Sequence, residues 1–211
     1  MYDKLPIDDV LPALLDAVHS YGQAVLQAPP GAGKTSRVPL ALLQSGKISG
    51  KIIMLEPRRL AARAAAERLA AQLGEPVGET VGYAMRGARK IGPHTRIEVY
   101  DSAQRPFLYP ADPELSEVGA IIFDEFHERS LNADLGLALC IECRAALRED
   151  LALVVMSATL DAAPVAALLG SAPIITSEGR SFPVEEVFLA RPRLKDARLE
   201  TSMADLIETV L

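Results

Sequence analysis

Tryptophan is absent from this 211-residue sequence, aromatic residues make up only 5% of it, and there are two cysteines, Cys140 and Cys143. Two thiols are too few for a disulfide scaffold. As a lone CxxC inside a helical pattern they also fall short of the four ligands a structural zinc requires, so packing is their expected role. Long apolar runs are missing too. Although 49% of the residues are hydrophobic, charge or proline interrupts each run well before the length needed to cross a bilayer, and no membrane span is expected. The N-terminal stretch MYDKLPIDDV has neither the basic start nor the apolar segment of a secretory signal, which places the chain in the cytoplasm. An excess of basic charge is lacking as well: 22 Lys and Arg against 28 Asp and Glu leave a net charge of -6. Coating of nucleic acid by bulk electrostatics is thereby excluded, and any such contact must be local.

What the sequence does contain is an alternation of short Val- and Ile-rich runs with longer segments of helical period. That pattern predicts an α/β fold: a mainly parallel sheet with helices on both faces. Strands are expected at 24–27, 51–55, 96–100, 119–123, 151–156 and 184–188. Val10, Leu11, Leu14, Leu15 and Val18 recur at helical spacing, residues 60–73 form an alanine-rich helix that stops at Gly74, and residues 134–147 read the same way. Residues 1–178 are expected to form one domain. Residues 179–211 are expected to be a connector and the cut-off start of a second domain, because the amphipathic pattern over 202–211 stops without a cap. GRSFPVEEVF, residues 179–188, is either that connector or a last strand of the first domain.

The stretch APPGAGKTS, Ala28 to Ser36, lies between a predicted strand ending in VLQ and a helix reading RVPLALLQ, which is the setting of a phosphate-binding loop. Pro30, Gly31, Ala32, Gly33, Lys34, Thr35 and Ser36 form the expected nucleotide cradle, in which successive N–H groups converge on phosphate oxygens at a helix N-terminus. Lys34 would reach the β and γ phosphates, and Thr35 would give its hydroxyl to Mg2+. Ala28 stands where the usual pattern has glycine, and is small enough for the turn. A solvent-facing lysine on a glycine-rich turn is the competing reading.

A phosphate loop calls for a second strand that ends in a carboxylate, and GAIIFDEFHERS, residues 119–130, supplies one. Asp124, at the strand end, would hold Mg2+ through water, and Glu125 could polarise the water that attacks the γ phosphate, with His127 facing the same cleft. Alone, an acidic pair after a strand often marks a solvated loop. Together with the phosphate loop it marks a hydrolase site.

Asp124, Glu125, Phe126 and His127 resemble the DEAH-box helicase signature, Ser157, Ala158 and Thr159 resemble its motif III, and EPRRLAAR, from Glu56 to Arg63, resembles motif Ia. The wording LQAPPGAGKT, MLEPRRLAAR, DPELSEVGAIIFDEFHERS and VVMSATLD is similar to bacterial ATP-dependent RNA helicases of the HrpB type, over nearly the whole chain. The resemblance implies a RecA-like P-loop NTPase domain, ATP with Mg2+ as cofactors, and RNA and a second RecA-like domain as partners. For the residues it implies catalysis by Lys34, Glu125 and His127, coupling through Ser157, Ala158 and Thr159, and RNA phosphate contacts at Arg58 and Arg59. Two arginines at a helix start oppose its macrodipole and call for a nearby anion, which agrees with the last role. Two solvated surface arginines are the plainer reading.

One stretch departs from the family pattern. After TRIEV the family continues with motif Ib, whereas this chain reads YDSAQRPFLYP from Tyr100 to Pro110, so no RNA contact is carried over there. A reading-frame slip and natural divergence both account for it. Pro106 and Pro110 would break any helix in that window. The second domain would bring arginines that stabilise the transferring phosphoryl group, and their motif does not occur here. A catalytically silent ATP- and RNA-binding module is therefore the alternative to an active motor half. Arg86, Arg89 and Lys90 form a basic run, either an RNA path or a solvated face, and His19 and His94 read as structural or surface groups. A GTPase would need an NKxD-type motif, but the single asparagine, Asn132, is followed by Ala133.

Overall fold

Runs of β-branched and aliphatic residues with no polar alternation can lie only in strands covered on both faces. The computed structural model describes residues 4–101, 112, 114–158, 162–179 and 198–210, and in it those runs are the centre of one sheet. A short 3-10 turn, Pro6–Asp9, leads into α1 (Leu11–Tyr21), β1 (Gln23–Gln27), α2 (Lys34–Gln44), β2 (Lys51–Glu56) and α3 (Arg59–Leu73). There follow β3 (Val81–Met85), β4 (Ala88–Lys90), β5 (Ile97–Asp101), β6 (Val118–Phe123), α4 (Leu131–Ala146), β7 (Ala152–Ser157), α5 (Ala162–Leu168) and β8 (Ile174–Thr176). Among the described residues the sheet order is β4-β3-β5-β2-β6-β7-β1-β8, parallel except for the antiparallel β3/β4 pair. This is the RecA-like architecture expected from the sequence.

Side-chain alternation along each central strand divides the core in two. Ala24, Leu26, Ile52, Met54, Ala120, Ile122, Val154 and Met156 face α1, α2 and α3 through Leu14, Val38 and Leu69. Val25, Ile53, Leu55, Ile121, Phe123, Leu153 and Val155 face α4 and α5 through Leu137, Cys140 and Val165. Such a doubly covered parallel sheet leaves its carboxyl ends as the place for a ligand.

Five of the six predicted strands and the predicted helices are present, and α3 ends at Gly74, whose left-handed φ of 72° ends the helix as expected. α4 starts three residues earlier than its periodicity suggested, because the Ser130 hydroxyl caps it by accepting from the Ala133 N–H at 3.1 Å. The predicted strand at 184–188 lies outside the described residues, as do Thr159 and residues 102–111, which include most of the stretch that departs from the family pattern. The chain divides into two compact units, 1–180 and 181–211. In the second, α6 (Leu199–Val210) is a single amphipathic helix, beginning three residues before the predicted 202. Among the described residues no helix is long and apolar enough to cross a membrane.

Three strands were not foreseen. β3, VGYAM, is fully buried yet carries a glycine and an alanine in place of β-branched residues, and β4 and β8 are three residues long. Arg86, Arg89 and Lys90 belong to the β3/β4 hairpin, where all three are exposed. Gly82 is there because a Cβ would stand 2.6 Å from the Lys90 carbonyl oxygen. Gly82→Ala is therefore expected to destabilise the fold by about 1–3 kcal/mol in denaturant unfolding. Cys140 is buried in the core, as packing predicts, and burial pushes its thiol up. His19 and His94 are exposed.

Candidate active site

The carboxyl ends of β1, β2 and β6 bring three short segments together. Beyond β1, Gly31 and Gly33 adopt φ of 78° and 100°, a backbone that glycine takes without strain. Gly33 is the N-cap of α2 and has no side chain with which to satisfy the first-turn N–H groups, so this helix end is suited to an anion. The loop's start is tied to β7, where the Ala28 N–H donates to the Ser157 carbonyl at 2.9 Å.

Beyond β6, the DEFH segment turns sharply. Glu125 takes φ of 49°, unusual for a residue with a side chain, and Phe126 to Glu128 form one 3-10 turn. Phe126 anchors this turn: it is buried and packs edge-on against Phe123, with ring centroids 6.2 Å apart. With that ring pointing inward, the side chains before and after it face the phosphate loop.

The predicted site residues then meet. Thr35 Oγ1 donates to Asp124 Oδ2 at 2.5 Å, and Lys34 Nζ, on a side chain only 4% exposed, pairs with Glu125 Oε1 at 2.9 Å. Asp124 Oδ1 accepts from the Glu125 N–H at 2.8 Å, which fixes the carboxylate. His127 Nδ1 lies 3.3 Å from Glu125 Oε2 and also accepts from the Ala158 N–H at 3.4 Å. One nitrogen cannot serve both: it accepts from Ala158 only when bare and donates to Glu125 only when protonated. His127 thus stands between Glu125 and the segment after β7, of which Ser157, buried at the strand's end, and Ala158 are described.

Arg58 and Arg59 do find anions, but within the protein. Arg58 pairs with Glu128, and Arg59 donates to the Arg86 carbonyl at 2.6 Å with Asp101 Oδ2 at 3.9 Å. The macrodipole argument for an external phosphate is weakened accordingly. Both side chains remain largely exposed.

Glu56 was missed as a site residue. It closes β2, is 2% exposed, and its carboxyl is pushed up to about 10, chiefly by burial and then by the neighbouring Asp124 carboxylate. Burial also raises Asp124, against the Thr35 hydrogen bond that lowers it. The buried Asp124 carboxylate and the Thr35 hydroxyl, with the Glu56 carboxyl beside them, form a hard-oxygen site that a divalent cation fits. Among the described residues there is no gathering of three or more His, Cys, Asp or Glu able to cage a metal.

Between its ordinary value of 4.5 and about 10, Glu56 holds a proton in the folded chain that it loses on unfolding. Its contribution to stability therefore falls as pH rises, by on the order of 1 kcal/mol per pH unit while the full proton difference persists. Glu56→Gln does not ionise. In the nucleotide-free chain its melting temperature, relative to the parent, is expected to be higher at pH 8 than at pH 5.

Lys34, Thr35, Glu56, Glu125 and His127 line one side of a groove of about 1110 Å³. The other side is α3, through Ala61, Ala64, Ala65, Arg68, Ala71 and Gln72. The alanines, which read in sequence as ordinary helix formers, keep that wall low, and the Arg68 guanidinium offers a flat cation on which a planar base can stack.

The DEAD/DEAH box helicase family model matches residues 9–168. The chain belongs to that family. As a DEAD/DEAH box helicase domain it is 53% identical over 189 residues to the ATP-dependent RNA helicase HrpB of Escherichia coli (strain K12), covering 90% of this chain and 23% of the relative. It is 36% identical over 205 residues to the pre-mRNA-splicing factor ATP-dependent RNA helicase prp22 of Schizosaccharomyces pombe, covering 95% of this chain and 18% of that protein. A crystal structure of the Escherichia coli DEAH/RHA helicase HrpB superposes with a TM-score of 0.88 at 48% identity, over 98% of this chain and 27% of that one. This helicase domain therefore spans about a quarter of HrpB, and the groove between DEFH and α3 is its candidate nucleotide site.

Proposed function

We propose that the chain is the nucleotide-binding half of a cytoplasmic ATP-dependent RNA helicase, in which ATP hydrolysis drives movement along RNA. Residues 1–178 are the first RecA-like domain, and 179–211 lead into a second. The observation that carries this reading is the meeting of Lys34 with Glu125 and of Thr35 with Asp124, beside a groove that Lys34, Thr35 and Glu125 line.

In this reading the loop N–H groups and Lys34 hold the β and γ phosphates, and Thr35 and Asp124 hold Mg2+. Mg2+, when bound, neutralises charge on the phosphate oxygens. Phosphate competes with Glu125 for Lys34, and the carboxylate so released is free to orient the attacking water. His127, which contacts both Glu125 and the Ala158 N–H, relays the state of the phosphate site to motif III. Arg58 and Arg59 contact RNA phosphates when those outcompete Glu128 and Asp101.

The deciding experiment is Mg2+-dependent ATP hydrolysis by this chain with and without single-stranded RNA. Nucleotide binding with slow turnover is the expected result, since the partner domain's arginines are supplied by no residue here. Failure to bind any nucleoside triphosphate would sink the reading.

A further inference from the structure

Residues 5–8 precede the segment that the family model matches, yet they pack directly on the phosphate loop. The Ile7 side chain is fully buried and its N–H donates to the Ala32 carbonyl at 3.1 Å. The Leu5 side chain occupies the space beside Gly33: a Cβ there would stand 2.6 Å from Leu5 Cδ1 and 3.2 Å from Ile7 Cγ2. The loop is thus gripped from behind.

Asp8 ties this turn to the helices. Its Oδ2 accepts from the Leu5 N–H at 2.8 Å, and its Oδ1 lies 3.4 Å from Arg37 Nε. Arg37 Nη1 donates to Gln72 Oε1 at 2.9 Å, and Gln72 Nε2 returns a bond to the Ser36 carbonyl at 3.1 Å. The N-terminal turn, the first turn of α2 and the end of α3 are therefore joined around the peptides that follow Lys34 and Thr35.

We infer that Asp8 is a positioning residue for the nucleotide: through Leu5 and Arg37 it keeps Gly33 and the first turn of α2 in their phosphate-ready arrangement. A glycine-rich loop has much conformational freedom to lose when it closes on phosphate. Holding it in advance removes that cost from binding. Released from the strap, the loop would still fold, but it would bind phosphate more weakly. The inference rests on the nucleotide-binding reading above and adds to it a residue that touches no nucleotide.

The test is MgADP titration of this chain by calorimetry, alongside thermal unfolding without nucleotide. Asp8→Asn keeps an acceptor for the Leu5 N–H but loses the charge facing Arg37. It is expected to raise the Kd about 3-fold to 10-fold while the nucleotide-free melting temperature moves little. Arg37 lines the groove, so Arg37→Gln is measured in the parent and in Asp8→Asn. Its effect on Kd should be smaller in the second background, because the two act through one ion pair. An unchanged Kd for Asp8→Asn, strictly additive effects, or a Kd change that merely follows a loss of nucleotide-free stability would each overturn the inference. If Asp8→Asn yields no folded chain, Arg37→Gln alone decides, and an unchanged Kd there overturns it equally. A parent chain that binds no MgADP would sink the nucleotide reading itself, a result distinct from parent binding that the variants leave unaltered.

Discussion

Lys34→Ala is expected to weaken MgATP binding about 100-fold, and MgADP binding by less because ADP lacks the γ phosphate, measured by calorimetry or a fluorescent-nucleotide titration. The ammonium lies almost wholly out of solvent, 2.9 Å from Glu125, at the first position of the helix whose N-terminus closes the phosphate loop. Charge-assisted contacts with two phosphates, made away from bulk water, contribute about 1.5–3 kcal/mol each, and every 1.4 kcal/mol is tenfold in Kd. Truncation also leaves the carboxylates of Asp124 and Glu125 facing the phosphates without their nearest cation, which works in the same direction. Binding within a few-fold of the parent would mean that Lys34 serves only to neutralise Glu125.

Glu125→Gln is expected to leave the nucleotide Kd within a few-fold of the parent and to lower turnover by about 100-fold to 10,000-fold, the usual cost of losing a positioned base. The amide keeps the size of the side chain and an oxygen that accepts from Lys34, so the cradle persists. What it loses is the basicity needed to polarise water. The assay is single-turnover hydrolysis with enzyme in excess, where slow product release does not hide the chemical step. Equal rates for the two proteins would remove Glu125 from its assigned role and leave it as a counter-ion to Lys34.

The nucleotide loop and the DEFH carboxylates were legible because each is a local arrangement: a strand, a turn with glycine where positive φ is needed, and a helix start. Lys34, Thr35, Asp124 and Glu125 come together as the strand-by-strand reading anticipated. β3 was not legible, because its burial comes from neighbours on both sides rather than from its own residues, and Gly82 sits in it for the sake of the returning hairpin. Glu56 passed as part of a motif string, since nothing local tells a buried carboxyl from a solvated one. The macrodipole argument for an anion at Arg58 and Arg59 could not foresee their acidic neighbours Glu128 and Asp101, which are far along the chain.

The sequence by itself determined the α/β class, the order of the central strands along the chain, and which residues are proposed to hold phosphate and cation. Periodicity and turn chemistry are properties of neighbouring residues, so a one-dimensional string carries them. The tertiary structure alone decided that the Glu56 carboxyl is buried beside Asp124, that His127 Nδ1 lies within reach of both Glu125 and the Ala158 N–H, and that the alanines of α3 shape a groove. It alone showed that the turn around Asp8 grips the phosphate loop. Each of these depends on segments remote in sequence being packed within a few ångströms, where burial and nearby charge, rather than residue type, set what a side chain does.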